Sequence, residues 1–215
     1  MIKQKSLVSF SAMKKITLLT ILSLVLSSSA IAAGDVVRGK TKAAVCAACH
    51  GNDGNSMIKD WPKIAGQHST YTLQQLLDFQ KGQDSGRANP TMAGIVAGLS
   101  QQDMEDLAAF FETQSTTIGA AQEDLVAKGQ ALYQGGDANR KITACTTCHG
   151  PKGTGLKTAA FPKLSGQHPE YIIAQLKMFR SGERANDLNG MMRDTAKKLT
   201  DEEMVALASY INGLH

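Results

Sequence analysis

The sequence is short of three things: aromatic side chains, cysteine, and long apolar runs. Aromatics make up 5% of its 215 residues, with one tryptophan, and there are four cysteines. Beyond the first 32 positions no stretch approaches the ~20 apolar residues that a membrane-spanning helix needs, which excludes an integral membrane protein for that part. An excess of charge is missing too. The formal +4 arises from 23 basic and 19 acidic side chains, and four of the basic ones, Lys3, Lys5, Lys14 and Lys15, lie in the first 32 residues, which hold no acid. The remainder is balanced at 19 against 19, so nothing in it favours a polyanionic partner such as nucleic acid. No segment alternates as a β-strand would.

What is present is concentrated. All four cysteines stand in "CAACHG" (Cys46 to Gly51) and, ninety-nine residues later, "CTTCHG" (Cys145 to Gly150). With four cysteines and five histidines in the chain, roughly 0.002 occurrences of C-x-x-C-H are expected by accident, and the pattern reads as a c-type haem attachment site. A structural zinc site or disulfides could use the cysteines but would need no histidine directly after each second one. A thioredoxin-like pair lacks that histidine and calls for a β-α-β context. The haem reading uses every residue. Cys46 with Cys49, and Cys145 with Cys148, would form thioethers to the two vinyl groups of a porphyrin, and His50 and His149 would lie beneath the irons as proximal ligands.

In bacteria this attachment takes place outside the cytoplasm, and the N-terminus agrees. Lysines without acids, then "ITLLTILSLVLSSSAIA", then Ala30-Ile31-Ala32 form a secretory signal over residues 1–32, starting at Met1 or, with a more ordinary charged region, at Met13. The expected compartment is the periplasm. Each haem would add two propionates, leaving the loaded protein somewhat acidic. Residues 33–117 carry 7 basic and 9 acidic side chains, residues 118–215 carry 12 and 10, a polarity that could orient docking.

The two motifs belong to a tandem duplication. "WPKIAGQHSTY" (Trp61 to Tyr71) answers "FPKLSGQHPEY" (Phe161 to Tyr171), and "GLSQQDMEDLAAF" answers "KLTDEEMVALASY". Each copy reads helix, haem loop, helix, ligand loop, helix. Ser100 with Asp103 and Thr200 with Glu203 are N-cap pairs, the second the fuller capping box. Met104, Leu107, Phe110 and Phe111 recur at helical spacing, as do Met204, Leu207, Tyr210 and Ile211. The middle helices stop at Gly82 and Gly182. An all-α fold follows for both copies, joined by the small, polar "TQSTTIGAAQE". Copies of fewer than one hundred residues have marginal apolar cores, so a covalently held porphyrin would supply much of each core and the apoprotein would be poorly folded.

A carrier closes its iron with a second protein ligand, whereas an enzyme keeps a position open. Of nine methionines, Met104, Met178 and Met204 lie on helical stripes as core material. Met92 and Met192 each stand seven residues before a leucine, Leu99 and Leu199, and keep register between the copies. Met57 has no counterpart, and Met191 competes with Met192. His68 and His168 repeat in "GQH" directly before the middle helices, where a capping or surface hydrogen bond is the simpler role; bis-histidine ligation is the alternative. His/Met ligation would favour ferrous iron, raise the reduction potential and leave no vacancy for oxygen or peroxide.

Taken with the paired "PKIAGQH"/"PKLSGQH" segments and the terminal "INGLH", these residues resemble the cytochrome c4 family of di-haem bacterial cytochromes over essentially the whole chain after residue 32. The resemblance implies two tandem class I cytochrome c domains, 33–114 and 124–215 about a linker at 115–123, related by a pseudo-twofold axis. Its cofactors would be two covalent haem c groups, the first held by Cys46, Cys49, His50 and Met92, the second by Cys145, Cys148, His149 and Met192. The backbone carbonyls of Pro62 and Pro162 would hydrogen-bond the other ring nitrogen of each proximal histidine. The function implied is electron transfer, not catalysis. A periplasmic monomer, free or loosely membrane-associated, would take electrons near the quinol-oxidising bc1 complex and pass them to a terminal oxidase, commonly of the cbb3 type. The second ligand segment, "DLNGMMRD", lacks the Asn89-Pro90-Thr91 lead-in of the first. The rival readings are a di-haem peroxidase or a haem-based sensor with one open iron.

Overall fold

Local signals written twice into the chain set its helices. The computed structural model describes residues 34–215, so the export segment expected at 1–32 lies outside the described residues. In the first copy α1 spans Val36–Lys42, α2 Ala44–His50, α3 Ser69–Lys81, α4 Pro90–Val96 and α5 Gln101–Glu112. In the second, α6 spans Glu123–Gly135, α7 Thr146–His149, α8 Pro169–Ser181, α9 Met191–Ala196 and α10 Asp201–Asn212. Among the described residues, extended pairing is limited to isolated bridges such as Arg87 with Arg184. The fold is all-α, two tandem helical bundles.

The caps act as their residue types require. Asp35 accepts the N–H groups of Val37 and Arg38 and starts α1. Ser100 and Thr200 each close a full capping box, with Asp103 and Glu203 returning to the cap N–H. The first box is thus as complete as the second, because the aspartate reaches the Ser100 N–H at 2.9 Å. Gly82 and Gly182 cap α3 and α8.

Two segments expected as loops are helical. Cys46 to His50 lie within α2, and the ligand segments form α4 and α9. Asn89 accepts the Met92 N–H at 2.9 Å and Pro90 occupies the first turn of α4, a start that costs no lost backbone bond. The second copy reaches the same shape differently. Its α9 follows Gly190 at φ 72°, and Asp187 accepts the Arg193 N–H at 3.0 Å and its Nε–H at 2.7 Å.

In each copy the first helix crosses the last at a glycine. A Cβ on Gly39 would fall 2.0 Å from the Asp106 carbonyl oxygen, and one on Gly129 would fall 2.4 Å from that of Ala206. Below these crossings lie the two cores, one around Leu107, Phe110 and Phe111, the other around Tyr133, Met204, Leu207 and Ile211. Ahead of the cysteine motif the second copy is longer: Cys46 lies seven positions after Gly39, whereas Cys145 lies sixteen after Gly129. The extra chain folds back through paired bonds between Asp137 and Ile142. In the second copy Tyr133 fills the place that Ala43 holds in the first, and its hydroxyl donates to the Gly150 carbonyl at 2.7 Å.

The segment between α5 and α6 is held along its length. Thr117 N–H donates to Asn55 at 2.8 Å in the first copy, while Gly119 N–H meets the Asn212 carbonyl at 3.1 Å and Gln122 N–H the Ser209 hydroxyl at 2.8 Å in the second. The copies also face each other reciprocally, as a pseudo-twofold relation requires. His68 Nε2 lies 2.8 Å from the Thr154 carbonyl, and His168 Nε2 2.9 Å from the Ser56 carbonyl. Both histidines sit at helix N-cap positions without a side-chain cap bond. Of the two expected roles, capping is not taken up and the hydrogen bond is, with a partner across the interface.

Candidate functional site

Between the copies runs a cavity of about 1250 Å³, above the roughly 300–1,000 Å³ of ordinary ligand clefts. Its wall takes Cys46, Cys49, His50 and Met92 from the first copy and Cys145, Cys148, His149 and Met192 from the second. The helical turns of α2 and α7 present each cysteine pair and its histidine to the same space, and α4 and α9 bring the methionines. Apolar side chains complete the wall, among them Leu107, Phe111, Ile172 and Leu176.

The histidines are prepared as ligands. Both are buried, and burial lowers the pKa of each ring, partly opposed by a bond to a proline carbonyl. His50 Nδ1 stands 2.8 Å from the Pro62 oxygen and His149 Nδ1 2.9 Å from that of Pro162. A carbonyl only accepts, so Nδ1 carries the proton and Nε2 keeps its lone pair for a metal. Burial, then the neighbouring Cys49, pushes the Cys46 thiol up to about 11; burial pushes Cys145 up to about 11. Among the described residues no three of His, Cys, Asp and Glu converge as a zinc site would need.

Two further residues on this wall were not singled out from the sequence. Arg87 and Arg184 are 4% and 5% exposed, stacked over Phe79 and Phe179 at 4.6 and 4.5 Å. Their polar partners are neutral: Arg87 reaches Gln75 and Tyr171, and Arg184 reaches Tyr71, Gln75, Gln175 and Asn186. Burial, then the adjacent Arg184, presses Arg87 below its usual pKa. Among the described residues neither guanidinium makes a salt bridge, although Asp187 lies near enough to act on Arg184, and buried cations so placed call for anions from elsewhere. Two haems bring four propionates, so the donor set, the apolar walls and the paired cations all fit them. The signal in the sequence was the tripeptide Arg-Ala-Asn, present at Arg87 and again at Arg184.

Met57 is 92% exposed and lies away from the cavity wall. Met191 and Met192 both line the wall, but Met191 is exposed whereas Met192 packs on the core of the second copy.

Comparison with known proteins decides the family. The cytochrome c family model matches the chain twice, over residues 36–115 and 126–215. Cytochrome c4 of Azotobacter vinelandii is 46% identical over 210 residues, covering 94% of this chain and all of that protein. The chain belongs to the cytochrome c4 family. The crystal structure of reduced recombinant cytochrome c4 from Pseudomonas stutzeri superposes with a TM-score of 0.82 at 45% identity, over 85% of this chain and all of that one. A protein of Stutzerimonas stutzeri named thiosulfate dehydrogenase electron acceptor is 39% identical over 172 residues, 78% of each chain. As a cytochrome c4 the chain is a di-haem electron-transfer protein, and its cofactors are two covalently bound haem c groups. No helix among the described residues is long and apolar enough to cross a membrane.

Proposed function

We propose that the chain is a periplasmic carrier of single electrons, taking them from the quinol-oxidising bc1 region of a respiratory chain and delivering them to a terminal oxidase of cbb3 or another type. The observation that carries this reading is the repetition of one set of residues on the wall of one cavity: a cysteine pair, a histidine tied to a proline carbonyl, and a methionine. Cys46 and Cys49 would hold the first haem with His50 and Met92 on its iron; Cys145 and Cys148 would hold the second with His149 and Met192. When bound, each haem supplies a one-electron Fe(III)/Fe(II) couple. The chain sets how that couple behaves. Pro62 and Pro162 fix the histidine rings, and methionine thioethers held to the irons would favour the ferrous state and leave oxygen or peroxide no place to bind. No residue acts as a catalyst, and the working unit is a monomer with residues 1–32 removed, domains at 33–114 and 124–215, and a linker at 115–123. A second donor is supported by the relative named as an acceptor for thiosulfate dehydrogenase: electrons from a sulfur-compound dehydrogenase would enter the same sites.

The test is optical. In the purified two-haem protein, the weak long-wavelength ferric band of bound methionine sulfur should amount to two equivalents. One equivalent, with rapid peroxide binding, would move the peroxidase or sensor reading to the front. Met192→Ala should remove one equivalent, lower one potential and admit carbon monoxide or cyanide to one iron, while Met191→Ala should leave all three unchanged.

A further inference from the structure

Each proximal histidine is connected through one peptide group to a glutamine of the other copy. The Pro62 carbonyl accepts the His50 Nδ1–H at 2.8 Å, and the N–H of the same peptide, that of Lys63, donates to Gln167 Oε1 at 2.9 Å. Gln167 Nε2–H returns to the Lys63 carbonyl at 2.8 Å. The reciprocal set is present: the Pro162 carbonyl accepts from His149 at 2.9 Å, Lys163 N–H donates to Gln67 Oε1 at 2.9 Å, and Gln67 Nε2–H donates to the Lys163 carbonyl at 2.9 Å. Both glutamines are buried. Each Oε1 also accepts the N–H of the next residue, His68 or His168, at 3.0 Å. With two N–H groups on one amide atom and a carbonyl at the other, the orientation of each amide is determined.

We propose that Gln67 and Gln167 are positioning residues that set the electron-donating power of the proximal histidine in the opposite copy: Gln167 acts on the N-terminal haem and Gln67 on the C-terminal haem. This rests on the reading that His50 and His149 bind iron. The physics is that of a polarised peptide. A bond accepted from the Lys63 N–H draws charge through the amide onto the Pro62 oxygen, and hydrogen bonds in such chains strengthen one another by roughly 10–30% each. A stronger acceptor pulls the Nδ1 proton, gives the ring more imidazolate character, and so stabilises the ferric state. Neither glutamine touches the histidine it acts on.

The experiment uses the full two-haem protein with Gln167→Leu, Gln67→Leu and the glutamate variant at each position. Two reduction potentials are measured and assigned with Met92→His, which should lower the N-terminal one by replacing thioether with imidazole. Gln167→Leu should raise the N-terminal potential and leave the C-terminal one near its starting value, and Gln67→Leu should do the converse. Glutamate keeps the acceptor and adds charge, so it should lower the same haem's potential more than the other's. Shifts in the copy that carries the substitution, equal shifts in both, or no shift would overturn the proposal. Interface loosening that merely admits water would lower both potentials, which is separated from the leucine result by sign and from the glutamate result by which haem shifts more. If the leucine variants do not load haem, the glutamate pair decides by the same criterion. Loss of the methionine bands in the unaltered protein would instead count against the ligand assignment itself.

Discussion

At the scale of single residues, charge placement is the sharpest feature. Arg87 and Arg184 bring two positive charges into a dry interface, and ferric haem carries one more positive charge than ferrous. Removing either guanidinium relieves repulsion of the oxidised form. Arg87→Gln and Arg184→Gln should therefore each lower the reduction potentials, with lysine at either position giving a smaller drop because it keeps charge but loses the fork; a spectroelectrochemical titration measures this. These arginines also show where sequence reading stopped. Cys46, Cys49 and His50 were legible because their chemistry is fixed by adjacency. Arg87 and Arg184 recur at an offset of 97 rather than 99 or 100, out of register with the motifs. A lone arginine just past the end of a helix also looks like ordinary surface. The hydrogen bonds expected of His68 and His168 are made, but their partners Thr154 and Ser56 belong to the other copy, and no periodicity within one copy encodes them.

At the scale of helices, the crossings of α1 with α5 and α6 with α10 depend on absent side chains. Alanine gains about 1 kcal/mol of helix propensity over glycine, but at Gly39 or Gly129 its Cβ would overlap a backbone carbonyl that cannot move alone. Gly39→Ala and Gly129→Ala should each cost a net ~1–3 kcal/mol, read from the denaturant midpoint. Gly135→Ala, with open space around it, should be neutral or stabilising. The first crossing also carries a pH dependence. Asp106 has a fully buried side chain, and Arg38 donates to it at 2.8 and 2.9 Å; that pairing holds its carboxyl far below the usual range. Its stabilising contribution is complete above the unfolded-chain value of about 3.9 and falls away as pH drops below that value towards the folded one. Thermal midpoints should decline below about pH 4, and Asp106→Asn should flatten the decline at a cost in stability near neutrality. These boundaries were mostly readable, since caps and stop glycines are local. The helicity of α4 and α9 was not: the Asn89-Pro90 start of α4 was read as loop, and the support of α9 is the Asp187–Arg193 pair rather than a recognisable cap.

At the scale of the whole molecule, the cavity between the copies takes the place that side chains would fill in a larger core. Leu107, Phe111, Ile172, Leu176, Leu207 and Ile211 all face it. Protein made with Cys46, Cys49, Cys145 and Cys148 all changed to serine should lose haem and with it cooperative unfolding, seen as a broad, low-amplitude helical melt by circular dichroism. The all-α class and the duplication could be read from the chain. The interface could not, since its glutamine and histidine side chains bond to backbone groups of the other copy. Gln67 and Gln167 grip main-chain atoms of Lys163 and Lys63, and these are present whatever residue stands there. This has a historical consequence. A surface that binds its own copy through backbone groups is self-complementary before any sequence divergence. One ancestral single-haem unit could have formed a homodimer with both clamps intact, and fusing two genes would only have raised the effective concentration of one half for the other. The two-centre carrier can then be understood as a dimer made permanent, in which each half has since been free to drift towards a different partner.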